Sequence, residues 1–359
     1  MHVTCGEDIM KRALIACFIS LLCLGLNAQD QVTRLRGELL YGFIIAHAAD
    51  LQPVSDYNPY GITLSWQRMA TGQRQWEACN CFHYLGVMVS YHNFRNSEVL
   101  GSAFTLAGTF EPVLWRYGHM ALSLHTGVGA SWLTRVHHPE DNPTNNFFSS
   151  PLSFLLLVAP SLQYRISDHW GAGATFTYNH ISNGGQRQPN RGMNFPQASV
   201  TINRYLETAE LPLYTGREPE SRIHLHAGMG FTTHKTGEGD NREPVFSVDA
   251  GGYIPVTAIN GLGAGAEFTL DYSLPAAENS NYGQQTLAPY ISHHFLMGRF
   301  NFAQRMGYYI ITPADSQEHT FYQRYLLMFN LFSDFSIGSS LKAHRHRASN
   351  LDFRISYRF

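Results

Sequence analysis

The chain has 359 residues, of which 44% are hydrophobic, 13% aromatic and only 14% charged, and its formal net charge is −2. A net charge so close to zero gives no argument for nucleic-acid binding, and we expect no nucleic-acid partner. The many aromatic residues and 31 glycines do not fit a helical membrane protein. No segment beyond residue 28 approaches the ~20 apolar residues of a membrane-spanning helix. The composition instead favours a chain of alternating β-strands.

The first residues have the composition of a secretion signal. Lys11 and Arg12 precede an apolar run over residues 13–26, and Ala28 follows just before a polar segment. A positive region, an apolar region and a small residue in this order are typical of a signal peptide. We therefore predict that residues 1–28 are removed from the mature protein.

Two cysteines remain after that segment, Cys79 and Cys81, separated by Asn80. Tetrahedral metal sites usually need four ligands, so this pair is a poor metal site and we expect no metal. We interpret the two cysteines as turn residues, with a small disulfide as the alternative.

Apolar and polar residues alternate along much of the chain, which is the pattern of strands with one apolar face. In the last predicted strand Leu351, Phe353 and Ile355 alternate with Asp352 and Arg354. The pattern predicts sixteen strands, with fourteen as the alternative count. The predicted strands cover residues 34–47, 60–69, 83–92, 101–112, 117–134, 153–166, 170–183, 196–206, 221–234, 245–256, 262–273, 286–296, 299–311, 320–332, 335–345 and 350–359.

The predicted connections alternate between long and short. Most connections after odd-numbered strands are long and most after even-numbered strands are short, as in outer-membrane barrels; residues 70–82 and 207–220 are exceptions. We therefore predict an all-β fold, a transmembrane antiparallel up-and-down β-barrel of about 14–16 strands. In this interpretation residues 29–206 carry the site and residues 207–359 extend the same barrel. The alternative is that 207–220 marks an ancestral junction between two eight-strand halves.

A histidine and a serine stand two residues apart at the end of the seventh predicted strand. Residues i and i+2 of a strand point to one face, so His180 and Ser182 share a surface. They continue the parity of Phe176 and Tyr178, which is the more apolar face and should point outward to lipid. A serine and its general base need such proximity. Taken alone, however, this spacing also fits an ordinary strand end.

The surrounding residues extend the pattern into a longer motif. The run His180-Ile181-Ser182-Asn183-Gly184-Gly185, followed by Gln188-Pro189-Asn190 and Gly192, resembles the signature of the PagL family of outer-membrane lipid A 3-O-deacylases. The resemblance covers about residues 32–206, and the remainder resembles the extension of longer members described as acyloxyacyl hydrolases. It implies that Ser182 is the nucleophile and His180 its general base. It also implies that Asn183 and Asn190 stabilise the oxyanion, with Gly185 allowing close backbone approach.

One position departs from the family pattern. The smaller enzymes have a glutamate as third member of the triad, whereas this chain has Asn194. An asparagine can orient the histidine, as in Cys-His-Asn proteases, but cannot offset the charge of an imidazolium. We expect Asn194 to be the third catalytic residue. The alternatives are that Glu140 or Asp141 substitutes for it, or that activity is weak or lost.

The resemblance implies an outer-membrane serine esterase that removes an ester-linked acyl chain, at the 3-O position, from lipid A. Its partners would be lipid A or lipopolysaccharide and the bacterial outer membrane, and it would need no cofactor and no metal. The oligomeric state stays open, with a homodimer as one possibility. The rival interpretation is a porin or transport barrel without catalytic activity, because a sixteen-stranded barrel is wide enough for a pore.

Overall fold

The computed structural model describes residues 31–184, 187–208, 211–214, 218–219, 222–235, 241–274, 283–312, 320–344 and 347–359. The expected signal peptide, residues 1–28, lies outside these ranges. Helical segments among the described residues are short, at Ala49–Leu51, Gln52–Ser55 and Gln73–Glu77. None of them is long and apolar enough to cross a membrane.

The described residues form sixteen antiparallel strands, and each overlaps a strand predicted from the alternating pattern. The all-β prediction is therefore confirmed, as is the larger of the two strand counts. The strands are β1 Gln31–Gly42, β2 Tyr60–Ala70, β3 His83–Asn93, β4 Ser102–Tyr117, β5 Met120–Leu133, β6 Leu152–Arg165, β7 Trp170–Ser182, β8 Met193–Tyr205, β9 His224–Lys235, β10 Arg242–Pro255, β11 Asn260–Asp271, β12 Gln285–Met297, β13 Phe300–Tyr308, β14 Phe321–Asn330, β15 Phe335–His344 and β16 Arg347–Arg358.

The strands close into two barrels of eight, not into one barrel of sixteen. β1 pairs with β8 as well as β2, and β9 pairs with β16 as well as β10. The prediction that residues 207–359 extend the first barrel is therefore wrong, and the alternative of two eight-strand halves is what the chain adopts. Eight strands enclose an interior that side chains can fill, so each half closes without the other.

The interior of the first barrel is filled by a buried polar cluster. Glu111 Oε2 accepts hydrogen bonds from Arg34 Nη2 at 2.6 Å and from Gln67 Nε2 at 3.1 Å. Arg36 Nη1 lies 3.3 Å from Glu111 and its Nη2 donates to Glu38 at 2.9 Å. Two guanidinium groups thus face two carboxylates, which offsets the cost of burying each charge.

The second barrel has an independent charged interior. Arg354 Nη2 lies 3.0 Å from Glu267, and Arg324 Nη2 lies 2.8 Å from the same carboxylate. Arg324 also pairs with Asp352. In the described part of the chain, charged side chains thus occupy the interior of both barrels, which does not suit the wide pore of the porin alternative.

The long connections gather at one end of the first barrel. In the described residues they are 43–59, 94–101, 134–151, and 183–184 with 187–192, which follow β1, β3, β5 and β7. Phe94, Phe147, Phe148, Phe195 and Leu51 are essentially inaccessible and belong to the apolar cluster at this end. Apolar packing among these loops fixes the surface on which β7 ends.

The connection from β2 to β3, residues 71–82, was an exception to the predicted short turns. It contains the helix Gln73–Glu77 and a Cys79–Cys81 disulfide. The alternative of a small disulfide is therefore correct and the interpretation as plain turn residues is wrong. Asn80 Nδ2 donates to the carbonyl of Ala258 in the second barrel at 3.3 Å. The extra length lets this turn reach the neighbouring barrel.

Candidate active site

The last residues of β7 and the first residues of β8 carry the predicted catalytic side chains. Phe176 and Tyr178 are exposed on the outer wall, and His180 and Ser182 share their parity as predicted. His180 and Asn194 are direct partners in the antiparallel register. Directly opposed residues project to the same face of a sheet. Strand pairing therefore brings together three side chains separated by as many as fourteen positions.

The three side chains form one hydrogen-bonded chain. His180 Nδ1 lies 2.7 Å from Asn194 Oδ1, and His180 Nε2 lies 3.1 Å from Ser182 Oγ. Because Asn194 Oδ1 can only accept, Nδ1 carries the proton and Nε2 is left to accept from the serine hydroxyl. This tautomer allows the histidine to take the serine proton during nucleophilic attack.

Gly192 provides the space that the imidazole occupies. Its φ is +66°, and a β-carbon at this position would lie 2.9 Å from His180 Cε1 and 3.2 Å from Ser182 Cβ. A side chain would therefore be strained by the backbone and would press on the histidine and serine. The last position of the Pro-Asn-x-Gly segment therefore requires a glycine on steric grounds.

Backbone hydrogen bonds from the β5–β6 loop hold Gly192 in place. The amide of Gly192 donates to the carbonyl of Phe147 at 3.2 Å, and the amide of Arg191 donates to the carbonyl of Asn146 at 3.0 Å. Asn146 Nδ2 also donates to Asp50 Oδ2 at 3.0 Å. Two other loops thereby support the segment that borders the site.

The β1–β2 loop borders the site from its other side. The amide of Ile45 donates to the carbonyl of Asn194 at 2.9 Å, and His47 Nε2 lies 3.0 Å from the carbonyl of Arg191. Sequence reasoning missed His47 and Asp50. Neither residue belongs to a spaced motif, since only the folded loop brings them near residues that are distant in the chain.

The residues implied in oxyanion stabilisation differ in their surroundings. Asn183 is buried, and its Nδ2 donates to Ser149 Oγ at 3.0 Å and to the carbonyl of Arg187 at 2.8 Å. Both amide hydrogens are thus engaged within the loops. Asn190 is partly exposed, and its Oδ1 accepts from the Asn183 amide at 3.2 Å. Gly185 lies outside the described residues.

The two acidic alternatives to Asn194 have other surroundings. Asp141 Oδ2 lies 3.3 Å from His138 Nδ1, and both side chains are exposed. The backbone amide of Glu140 approaches the same histidine nitrogen at 3.4 Å. Among the described residues, Asn194 is the side chain that contacts His180 Nδ1.

Metal-binding side chains come together away from this site, in the β2–β3 turn. Ligand atoms of Cys79, Cys81 and His83 lie within 4.8 Å of one another. As members of a disulfide, however, the two sulfurs are not thiolate ligands.

Comparison with known proteins gives two family matches. Residues 60–203 match the family model of lipid A 3-O-deacylase (PagL), and residues 221–359 match that of the acyloxyacyl hydrolase C-terminal domain. No curated protein matches the chain. The two matches divide the chain as the two barrels do.

Solved structures resemble the chain only distantly. The outer membrane enzyme PagL is 16% identical, with 48% of this chain and 97% of that chain covered and a TM-score of 0.32. A mutant porin of Rh. blastica is 10% identical, with 92% and 100% covered and a TM-score of 0.21. The Pseudomonas putida toluene transporter TodX is 7% identical, with 93% and 90% covered and a TM-score of 0.19. Family membership rests on the two family matches and not on these likenesses.

The class of protein that emerges is an ester hydrolase built on a β-barrel. The candidate site lies on the outer wall of the first barrel, where β7 meets β8. More particularly, the chain belongs to the PagL family of lipid A 3-O-deacylases, and its second barrel corresponds to the acyloxyacyl hydrolase C-terminal domain.

Proposed function

We propose that this protein is an outer-membrane serine esterase that removes one ester-linked acyl chain from lipid A, at the 3-O position. The observation that carries the proposal is the hydrogen-bonded chain Ser182–His180–Asn194 on the outward face of the first barrel. A site on that wall meets molecules that lie beside the barrel. Lipid A is such a molecule, and it is the substrate named by the matching family.

In the proposed reaction Ser182 Oγ attacks the ester carbonyl while His180 Nε2 takes its proton. The bond between the acyl carbon and the sugar oxygen breaks, and the protonated histidine gives its proton to the leaving sugar oxygen, which becomes a hydroxyl. Water then attacks the acyl-serine with the same histidine as base, which releases the fatty acid. Asn194 orients the imidazole throughout, in the role that a carboxylate has in most triads.

Asn190 is the better placed of the two implied oxyanion donors. Its Oδ1 is engaged by the Asn183 amide, which orients the side chain and leaves Nδ2 as the donor for the developing negative charge. Asn183 instead secures the loop through two buried hydrogen bonds. A preorganised donor of this kind contributes about 3–4 kcal/mol to transition-state stabilisation.

The outer walls support a location in the membrane. Leu39, Leu64, Val128 and Val200 are each more than half exposed near mid-strand. Water would penalise such a wide apolar belt, whereas a bilayer favours it. Trp115, Tyr117, Tyr164 and Trp170 are exposed at the ends of β4, β6 and β7 that lie opposite the long loops, where barrels place interfacial aromatic residues.

Mass spectrometry of lipid A from cells that express the protein tests this function. We expect the native protein to yield lipid A that lacks one hydroxyacyl chain, and Ser182→Ala to yield unmodified lipid A. Ser97→Ala, which alters an exposed serine in another loop at the same end, should act like the native protein. Unmodified lipid A in all three strains would contradict the proposal.

A further inference from the structure

The segment from Asn190 to Gly192 is held by hydrogen bonds at both of its peptide groups. The amide of Arg191 donates to the carbonyl of Asn146 at 3.0 Å, and the amide of Gly192 donates to the carbonyl of Phe147 at 3.2 Å. Asn190 is the proposed oxyanion donor, and Gly192 leaves room for the imidazole of the proposed base. The position of this short segment therefore sets the distance between the donor and the reacting ester.

His47 of the β1–β2 loop holds the peptide group between Arg191 and Gly192. Its Nε2 lies 3.0 Å from the carbonyl oxygen of Arg191. A carbonyl oxygen can only accept, so Nε2 carries a proton in this contact. Because a peptide group is planar, bonds to the Arg191 oxygen and from the Gly192 amide together fix the orientation of the whole group. His47 thus supplies one of the two anchors of this peptide group.

Asp50 of the same loop holds the preceding peptide group through Asn146. Asp50 Oδ2 accepts from Asn146 Nδ2 at 3.0 Å and from Arg191 Nε at 3.4 Å. The carbonyl of Asn146 is in turn the acceptor for the Arg191 amide. The ion pair of Asp50 and Arg191 is partly exposed and contributes little to stability by itself. Its effect is to keep the β5–β6 loop against the peptide group that follows Asn190.

The β1–β2 loop is itself fixed against the site. The amide of Ile45 donates to the carbonyl of Asn194 at 2.9 Å, and His47 Nδ1 lies 3.3 Å from the carbonyl of Ile45. Leu51, the neighbour of Asp50, is inaccessible within the apolar cluster at this end of the barrel. The loop thus holds both polar side chains in place before a substrate binds, which is the preorganisation that an oxyanion donor needs.

We propose that His47 and Asp50 are positioning residues, which hold Asn190 where its Nδ2 can donate to the oxyanion. These roles rest on the proposed function of the site. Neither side chain forms a bond with the substrate or transfers a proton, and each acts through the segment that carries Asn190. Loss of either side chain frees one of the two peptide groups of that segment. A donor displaced by about 1 Å loses much of its effect on the transition state.

Kinetics of fatty-acid release from purified lipid A by the full-length protein in detergent micelles test these roles. His47→Leu and Asp50→Ala should each lower kcat about tenfold and leave KM unchanged, because the oxyanion forms only in the transition state. His47→Gln keeps an N–H donor and Asp50→Asn keeps an oxygen acceptor, so each should restore part of the lost rate. His138→Leu is the matched control, since this histidine of another loop at the same end contacts residues of its own loop. Its kcat should equal that of the native protein.

A double-mutant cycle distinguishes positioning of Asn190 from a general effect on the fold. In the Asn190→Asp background, which lacks the donor, His47→Leu should cause no further loss of kcat. An active native protein whose kcat is unchanged in His47→Leu and Asp50→Ala would overturn the positioning roles and leave the esterase function intact. The same holds if the losses in His47→Leu and Asn190→Asp multiply in the double variant. If the native protein releases no fatty acid, the proposed function fails, and these roles fail with it.

Discussion

His180 and Asn194 are directly opposed residues of two neighbouring strands, and 2.7 Å separates the imidazole Nδ1 from the amide oxygen. The pairing places a neutral acceptor where the smaller enzymes that this chain resembles have a carboxylate. The asparagine sets the tautomer of the histidine but adds no charge to stabilise the imidazolium. The rate of deacylation should therefore respond to the charge at position 194.

Replacing the asparagine by its charged isostere tests this relationship. Asn194→Asp should raise kcat for lipid A deacylation about tenfold, because a charge-assisted hydrogen bond stabilises the imidazolium of the transition state. Asn194→Leu should lower kcat, because the tautomer is no longer fixed. The measurement is fatty-acid release from purified lipid A in detergent micelles. Equal rates for the two variants would show that Asn194 does not act on His180.

The contact between Gly192 and His180 predicts a steric requirement. Gly192→Ala should reduce deacylation at least tenfold, because the new β-carbon would lie 2.9 Å from His180 Cε1. Gly184→Ala is the matched control, since its φ is +67° but a β-carbon added there would have no neighbour within 4 Å. Both variants carry the backbone penalty of about 1–2 kcal/mol. A similar loss of activity in both would attribute the effect to the backbone alone.

Substitution of Asn190 should mainly affect catalysis, and substitution of Asn183 should mainly affect stability. Asn190→Asp keeps the oxygen that accepts from the Asn183 amide but removes the Nδ2 donor, so kcat should fall ~10²-fold with little change in thermal stability. Asn183→Ala removes two buried hydrogen bonds and should mainly lower the unfolding temperature of the first barrel. Steady-state kinetics and thermal unfolding would be measured on both. If Asn183→Ala lowered kcat and Asn190→Asp lowered the unfolding temperature, Asn183 would be the oxyanion donor and Asn190 the structural residue.

The charged interior of the first barrel should dominate its stability. Glu111→Gln leaves Arg34 and Arg36 without their shared carboxylate and should destabilise the fold by roughly 3–5 kcal/mol. Urea-dependent unfolding in lipid vesicles measures this change. Glu98→Gln removes an exposed carboxylate and should change stability by less than about 0.5 kcal/mol. A loss below about 1 kcal/mol in Glu111→Gln would mean that the cluster is not a major source of stability.

The strands and their two faces were predicted mainly from the alternation of apolar and polar residues. Each of the sixteen strands was located within a few residues, because exposed apolar side chains alternate along most strands with side chains that face the interior. The same parity put His180 and Ser182 on the outer wall, whereas Asn194 was expected beside them from the family resemblance. Local periodicity is sufficient for these conclusions, since a strand's two faces are set by its own residues.

The closure into two barrels could not be predicted from this alternation. β1 and β8 alternate identically whether β8 returns to β1 or passes on to β9, so parity cannot distinguish one barrel of sixteen from two of eight. Closure is instead decided by which distant residues fill each interior. Arg34 meets Glu111 and Arg354 meets Glu267, at separations of 77 and 87 residues.

The chain's own order of residues thus determined the strands, their two faces and the shared surface of the histidine and serine. Only the tertiary structure decided that two interiors form, that Gly192 leaves room for the imidazole, and that Arg354 meets Glu267 within the second barrel. The physical reason is that periodicity is a property of neighbouring residues. Closure, close packing and hydrogen bonds between distant strands depend on side chains that meet only after folding.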